Sequence, residues 1–168
     1  VEAFFSDGVD FSLFNGDCFE LLAALPEAAV DVVVTSPPYF MGKSYDTSYD
    51  IKDFIEDHIA ARDVIYRSLK EGGNMAWQVG HHVRNGKTVP LDFHVYGVFN
   101  ELENLHLRNR IVWTFNHGLH STKRFSGRHE TILWFTKGEE YYFDLDSVRV
   151  PQKYPGKRHY NGPKKGQW

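Results

Sequence analysis

Residues 30–34 read Val-Asp-Val-Val-Val, a nearly continuous β-branched run that stops abruptly at Thr35-Ser36-Pro37-Pro38. A run of this kind with a single charge predicts a buried strand of the parallel type meeting a loop. Ahead of it, residues 11–14 form a short apolar stretch that reads as a strand. Asn15-Gly16-Asp17 then leads into a helix-like run over 19–25 that Pro26 closes. Asp17 is placed as an N-cap and Glu20 follows three residues later, the spacing of a capping box, so a plain structural role is a sufficient reading of Asp17.

Downstream, Ile51, Phe54, Ile55, Ile59, Ile65, Tyr66 and Leu69 recur at helical spacing, and Gly72-Gly73 is expected to stop that helix. A strand over 74–79 follows, then a polar loop. Pro90 opens a second helix whose Leu91, Val95, Val98, Phe99 and Leu102 share one face. Alternation of strand and helix predicts a parallel α/β sheet with helices on its faces. Past Leu105 the pattern changes: 110–115 and 131–136 are two strand-like runs without a helix between them, which predicts an antiparallel pair. Their connection over 116–130 is too long for a tight turn and carries Lys123, Arg124, Arg128, Gly118 and Gly127, the composition of an exposed functional loop. Beyond Lys137-Gly138 regularity fades into a stretch rich in proline and glycine.

Composition narrows the class. A chain of 168 residues with 42% hydrophobic and 24% charged residues has room for one globular core and is neither disordered nor fibrous. Cys18 is the only cysteine, so no intrachain disulfide and no cysteine-based metal cluster can form. No leader and no apolar run of membrane-spanning length occurs, and a cytoplasmic setting without a membrane partner is the expectation. Net charge is −3, which argues against wholesale coating of nucleic acid. Yet Arg149, Lys153, Lys157, Arg158, Lys164 and Lys165 crowd the last twenty residues without one carboxylate, a segment suited either to a phosphate backbone or to solvent. Aromatic residues reach 15%; such rings pack cores, and they also stack on unpaired bases.

The chemistry concentrates at Ser36-Pro37-Pro38-Tyr39. An exocyclic amine on a nucleobase is a poor nucleophile because its lone pair is delocalised into the ring, so a catalyst that uses it must localise and aim that pair. A serine hydroxyl and the next carbonyl, held just beyond a buried strand, can each accept one amine N–H. The two prolines preset the backbone that holds those acceptors. Tyr39 offers a flat face for a base turned out of its stack. As four letters alone the motif is equally a rigid loop terminator, but the strand before it places it at the carboxyl edge of a sheet, where α/β proteins hold ligands.

With that strand in front, Val-Val-Val-Thr-Ser-Pro-Pro-Tyr resembles the fourth motif of the DNA amino-methyltransferases, a strand followed by Asp, Asn or Ser and then Pro-Pro-Tyr or Pro-Pro-Phe. Asn15-Gly16-Asp17 looks like the family's third motif, and 110–115 with 130–138 look like its paired sixth and seventh strands. The resemblance covers nearly the whole chain. It implies an α/β, Rossmann-like sheet of the methyltransferases that use S-adenosyl-L-methionine, with an antiparallel hairpin at its edge. It also implies Ser36, Pro37, Pro38 and Tyr39 as catalytic residues and Asp17 and Thr35 as cofactor contacts. Lys123, Arg124 and Arg128 are the candidate contacts to double-stranded DNA, with a solvated loop as the alternative.

A catalytic motif this early implies the permuted β arrangement, in which catalytic half, target-recognition region and cofactor-binding half follow in order. The Phe-x-Gly-x-Gly cofactor loop of the family does not occur in this sequence. The expectation is therefore a catalytic half over 1–138 and the start of a target-recognition region or linker over 139–168. Cys18 follows Asp17 rather than proline and reads as a small buried residue, not as the nucleophile of ring-carbon methylation. The nine histidines form no evident metal set.

The leading function is site-specific methylation of a cytosine N4 or adenine N6 amine in a restriction–modification system, with serine at the first motif position leaning towards cytosine. A homodimer is one arrangement left open. Two rivals stand beside it. Methylation of a protein glutamine would use asparagine in place of Ser36 and carry its cofactor motif on the amino-terminal side. A non-catalytic DNA-binding partner would differ by failing to bind the cofactor.

Overall fold

A computed structural model describes residues 10–39, 50–118, 120–151 and 153. In chain order the elements are α1 (Cys18–Ala24), β1 (Val30–Thr35), α2 (Ile51–Ser68), β2 (Leu69–Val79), β3 (His81–Arg84), β4 (Lys87–Pro90), α3 (Leu91–Phe99), β5 (Leu105–Thr114), β6 (His129–Lys137) and a short 3-10 turn, Asp146–Val148.

Four strands form one mixed sheet in the order β1-β2-β6-β5. The β1–β2 pair is parallel, and β6 runs antiparallel to both β2 and β5. The expected α/β sheet and antiparallel pair are therefore present, with β6 inserted between β2 and β5. β1 and β5 are the outer strands of this sheet, which corrects the buried strand expected over 30–34: Val32 and Val34 are 55% and 77% exposed, because among the described residues β1 has a neighbour on one side only.

Local chemistry accounts for the helices. The Asp17 carboxylate accepts from the Phe19 amide at 2.7 Å and caps α1; Asp50 accepts from Lys52 at 3.0 Å and caps α2. At the far end of α2 the Lys137 ammonium donates to the Tyr66 and Leu69 carbonyls at 2.8 and 2.9 Å, which satisfies groups a helix end leaves open and ties α2 to β6. Arg67 does the same for α1, donating to Leu22 and Ala23 at 3.1 Å.

The core lies between the sheet and helices α2 and α3. Leu69, Met75, Trp77 and Val79 alternate along β2 and meet Leu133 and Phe135 of β6, with Phe54 and Ile65 of α2 and Leu91, Val95 and Phe99 of α3 above them. Burying each such side chain contributes roughly 1.5–3 kcal/mol, so this cluster dominates the stability of the fold. On the opposite sheet face Tyr141 and Phe143 pack against Trp134, whose indole donates to Asn74 at 2.9 Å.

Several expectations are corrected. The apolar run over 11–14 is not a strand: it has no regular secondary structure, and Phe11 and Leu13 are largely exposed. Gly72-Gly73 does not separate helix from strand. β2 begins at Leu69, directly after α2, and the glycines lie within it where the ladder to β1 slips between Val30 and Val32. Gly72 takes φ +76°, and a Cβ there would stand 3.0 Å from the Glu140 carbonyl, so a side chain is disfavoured twice over. The polar loop before Pro90 is a hairpin, β3–β4, turned by Asn85 and Gly86 at φ 51° and 75°. Asn-Gly is a strong two-residue hairpin signal. Cys18 is exposed rather than buried, since α1 buries none of its residues.

Candidate functional site

β1 ends at Thr35, and Ser36-Pro37-Pro38-Tyr39 leaves the carboxyl end of the sheet's parallel pair. The Ser36 hydroxyl lies 3.1 Å from the Tyr39 hydroxyl, which donates to a Glu130 carboxylate oxygen at 3.3 Å. Gln78 of β2 donates to the same oxygen at 2.5 Å. Burial raises the Tyr39 pKa and the negative charge of Glu130 pushes the same way, against the hydrogen bond from Ser36. The phenol therefore keeps its proton at neutral pH. Gly80 supports the ring from below: a Cβ there would meet Tyr39 carbons at 3.1 and 3.3 Å.

Three cavities concern this segment; Tyr39 itself lines the smallest of them, of about 210 Å³, with Ile51, Phe54, His82 and Leu91. The first, of about 550 Å³, is lined by Thr35, Ser36, Pro37 and Pro38 on one side, by Cys18, Phe19 and Leu22 of α1, and by His58 and Trp77 at its floor. His58 Nδ1 meets the Phe54 carbonyl at 2.6 Å. Burial drives its pKa down to about 4, against that hydrogen bond, so the neutral ring donates through Nδ1 and Nε2 is left as an acceptor. That Nε2 and the Trp77 Nε1–H are both buried and make no hydrogen bond among the described residues. Asp57 also lines the cavity, its pKa raised by burial and by Asp53 one turn earlier.

The second cavity, of about 400 Å³, lies between the β3–β4 hairpin, the start of α3 and the loop that joins β5 to β6. Its walls carry Arg110 paired with Asp92, and His81 with its ring centroid 6.0 Å from that of His129; Arg124 and Glu130 also line it. Burial lowers the pKa of His81, and His129 and Arg124 add to the effect. The loop is closed at its base by Phe115 N donating to the Arg128 carbonyl at 3.0 Å and braced by Ser121 N on Ser126 Oγ at 3.2 Å. Gly127 presses on His81, where a Cβ would come within 2.4 Å of the ring.

The structure thus brings Thr35, Ser36, Pro37 and Pro38 together on the first cavity. Asp17 is not among its lining residues; its carboxylate is taken by the α1 cap beside Cys18 and Phe19, which do line it. Arg124 lies on the second cavity, Lys123 is exposed on the loop, and the Arg128 guanidinium rests 3.5 Å from both His120 ring nitrogens. Among the described residues no group of three or more His, Cys, Asp or Glu is placed to hold a metal. No helix among them is long and apolar enough to cross a membrane. Sequence reasoning missed Gln78, Glu130, His58 and Trp77. The last two carried only an apolar or helical pattern, whereas Glu130 stood as a lone carboxylate next to a loop free of acids from 116 to 129.

A family model described as DNA methylase matches residues 30–168. The chain is 46% identical over 156 residues to the type II methyltransferase M.BglII of Bacillus subtilis, covering 92% of this chain and 43% of that protein. It is 36% identical to the type II methyltransferase M.ScaI of Streptomyces caespitosus, covering 89% of this chain and 49% of that protein. The chain therefore spans less than half the length of these relatives. Among solved structures, the DNA modification methylase TTHA0409 of Thermus thermophilus, complexed with S-adenosyl-L-methionine, matches at 26% identity with a TM-score of 0.61, covering 81% of this chain and 61% of that one. The PvuII cytosine-N4-specific DNA methyltransferase, at 23% identity and a TM-score of 0.69 over 83% of this chain and 55% of that one, shares the fold.

Proposed function

Because the chain belongs to the N6/N4 DNA methylase family, we propose that it forms the catalytic half of a DNA methyltransferase that modifies an exocyclic amine of a base turned out of the duplex. The observation that carries this reading is the placement of Ser36, Pro37 and Pro38 on the wall of the first cavity while Tyr39, one residue on, lines a separate small cavity and is hydrogen-bonded to Glu130 on the wall of the polar one. One motif then touches two compartments, which a transfer between two ligands requires.

S-adenosyl-L-methionine fits the first cavity: about 550 Å³ lies within the range of small-molecule sites, its walls are largely apolar, and His58 and Trp77 among its lining carry two buried polar atoms, Nε2 and Nε1, without a hydrogen bond among the described residues. When bound, it supplies an electrophilic methyl group. Thr35, Phe19 and the α1 start capped by Asp17 are the residues to hold it. Ser36 Oγ and the Pro37 carbonyl accept the two amine hydrogens and turn the nitrogen's lone pair out of conjugation. Tyr39 supplies the stacking face. Lys123, Arg124 and Arg128, in a stretch without carboxylates, neutralise phosphates beside the extruded nucleotide. Residues 139–168 lead into the target-recognition region.

We read the target as the N4 amine of cytosine, on the serine at position 36, and the setting as restriction–modification, on the type II relatives. The test incubates the full-length protein that carries this sequence with labelled S-adenosyl-L-methionine and DNA, then identifies the modified nucleoside by mass spectrometry. N4-methylcytosine is the expected product. N6-methyladenine would overturn the choice of base, and no transfer to DNA would overturn the reading itself.

A further inference from the structure

We propose that Glu130 is a positioning residue that, through the Tyr39 hydroxyl, turns the Ser36 hydroxyl so that its lone pairs rather than its proton face the amine. The inference rests on the methyl-transfer reading above and assigns a role to a residue 91 positions from Tyr39 in sequence. A serine hydroxyl has one proton and two lone pairs and rotates freely about its C–O bond. Beside an amine that must donate both its hydrogens in hydrogen bonds, only one of which leaves as a proton on methylation, a rotamer with the proton forward is useless, because it offers a donor to a donor.

The geometry removes that freedom. Tyr39 has one hydroxyl proton, and it goes to Glu130 Oε2 at 3.3 Å. Towards Ser36, 3.1 Å away, the phenol oxygen is then left to accept, so the Ser36 proton is directed back at Tyr39. Glu130 is held in turn by Gln78 Nε2 at 2.5 Å. Gln78 and Glu130 lie on the adjacent strands β2 and β6, so the relay starts at a ladder in the middle of the sheet and ends at the motif. Gly80 leaves room for the Tyr39 ring to stay where the relay needs it. Ser36 remains exposed at the cavity wall, and among the described residues its hydroxyl has no hydrogen-bond partner besides Tyr39.

A carboxylate that merely props up Tyr39 would make the same contacts, and a mutant cycle separates the two roles. Single-turnover methylation and DNA affinity are measured for the full-length protein as wild type, Glu130→Ala, Glu130→Gln, Ser36→Ala and the Glu130→Ala/Ser36→Ala double variant, with circular dichroism as the folding control. Losing one directing hydrogen bond should slow Glu130→Ala about tenfold with DNA affinity changed less than about twofold. Glu130→Gln, which keeps an acceptor oxygen, should recover most of the rate. In the Ser36→Ala background the Glu130→Ala change should cost less than about twofold, since no hydroxyl is left to direct.

An equal cost in both backgrounds, or an unaltered rate in folded Glu130→Ala, would overturn the proposal while leaving methyl transfer intact. A wild-type protein that methylates no DNA would overturn both. If Glu130→Ala does not fold, Tyr39→Phe cuts the same relay while keeping the ring and takes its place in the cycle with the same expectations.

Discussion

The two larger cavities near Ser36-Pro37-Pro38-Tyr39 are built from opposite materials. The first rests on the hydrophobic core itself: Trp77 and His58 belong to the buried face between β2 and α2 and also form its floor. The second is assembled from the β3–β4 hairpin, the start of α3, the long loop and the strand ends beside it, and besides Glu130 its walls carry Arg110, Arg124, His81 and His129. Damage to the first should therefore reach stability, whereas damage to the second should reach DNA contacts and leave the fold alone. A compartment made by core side chains is rigid and dry; one made by loops is polar and replaceable.

The sharpest way to break that contrast is Trp77→Ala. Removing a buried indole should cost about 3–5 kcal/mol of stability in chemical denaturation of the full-length protein. A loss below about 1 kcal/mol would mean that the floor of the first cavity is not part of the core.

Ser36→Ala comes next, because it deletes the acceptor shared between cavity and motif. Turnover should fall about tenfold to a thousandfold, as for other preorganised polar groups, with little change in substrate affinity. Single-turnover kinetics with an unchanged circular dichroism spectrum would establish this, and wild-type turnover would leave the motif a structural turn. Tyr39→Ala should weaken base binding as well as rate, and Tyr39→Phe should retain more activity because the ring remains.

His58 supplies a pH test of the core side. Its folded pKa of about 4 lies below the ordinary 6.5, so on acidification the unfolded chain takes up a proton that the folded protein refuses. Stability from the neutral ring is complete above about pH 6.5 and falls as pH drops towards 4, by up to about 3 kcal/mol. Melting curves of wild type and His58→Leu across that window should diverge in slope, the variant being flatter. Parallel slopes would place the acid sensitivity elsewhere.

The smallest expected effect sharpens the other side. Arg124→Glu should leave melting unchanged and weaken DNA binding alike on specific and unrelated duplexes, and losing one phosphate contact should reduce the slope of log affinity against log salt by about 1. An unaltered slope removes Arg124 from the phosphate contacts.

How far the sequence could be read depended on distance along the chain. The strand character of the valine run into Thr35, though not its expected burial, the cap at Asp17 and the face of α3 rest on contacts within a few residues, so their letters carry their own explanation. Asn85-Gly86 was equally legible, since a two-residue turn at positive φ is written in those two letters, and it is only the polar residues around it that resemble a loop. The run over 11–14 shows the limit: four apolar-leaning letters are too short a pattern to define a strand, and this stretch is irregular with Phe11 and Leu13 exposed.

Ser36-Pro37-Pro38-Tyr39 could be singled out from sequence because its prolines constrain its own backbone. What those residues face was decided by tertiary structure alone. Glu130 reaches Tyr39 only because β6 inserts between β2 and β5, and Trp77 becomes a cavity floor only because α2 lies across β2. Local backbone preferences act through sterics between near neighbours, whereas these contacts exist only once the chain has closed and the burial of Leu69, Met75, Leu133 and Phe135 has set which strands lie side by side.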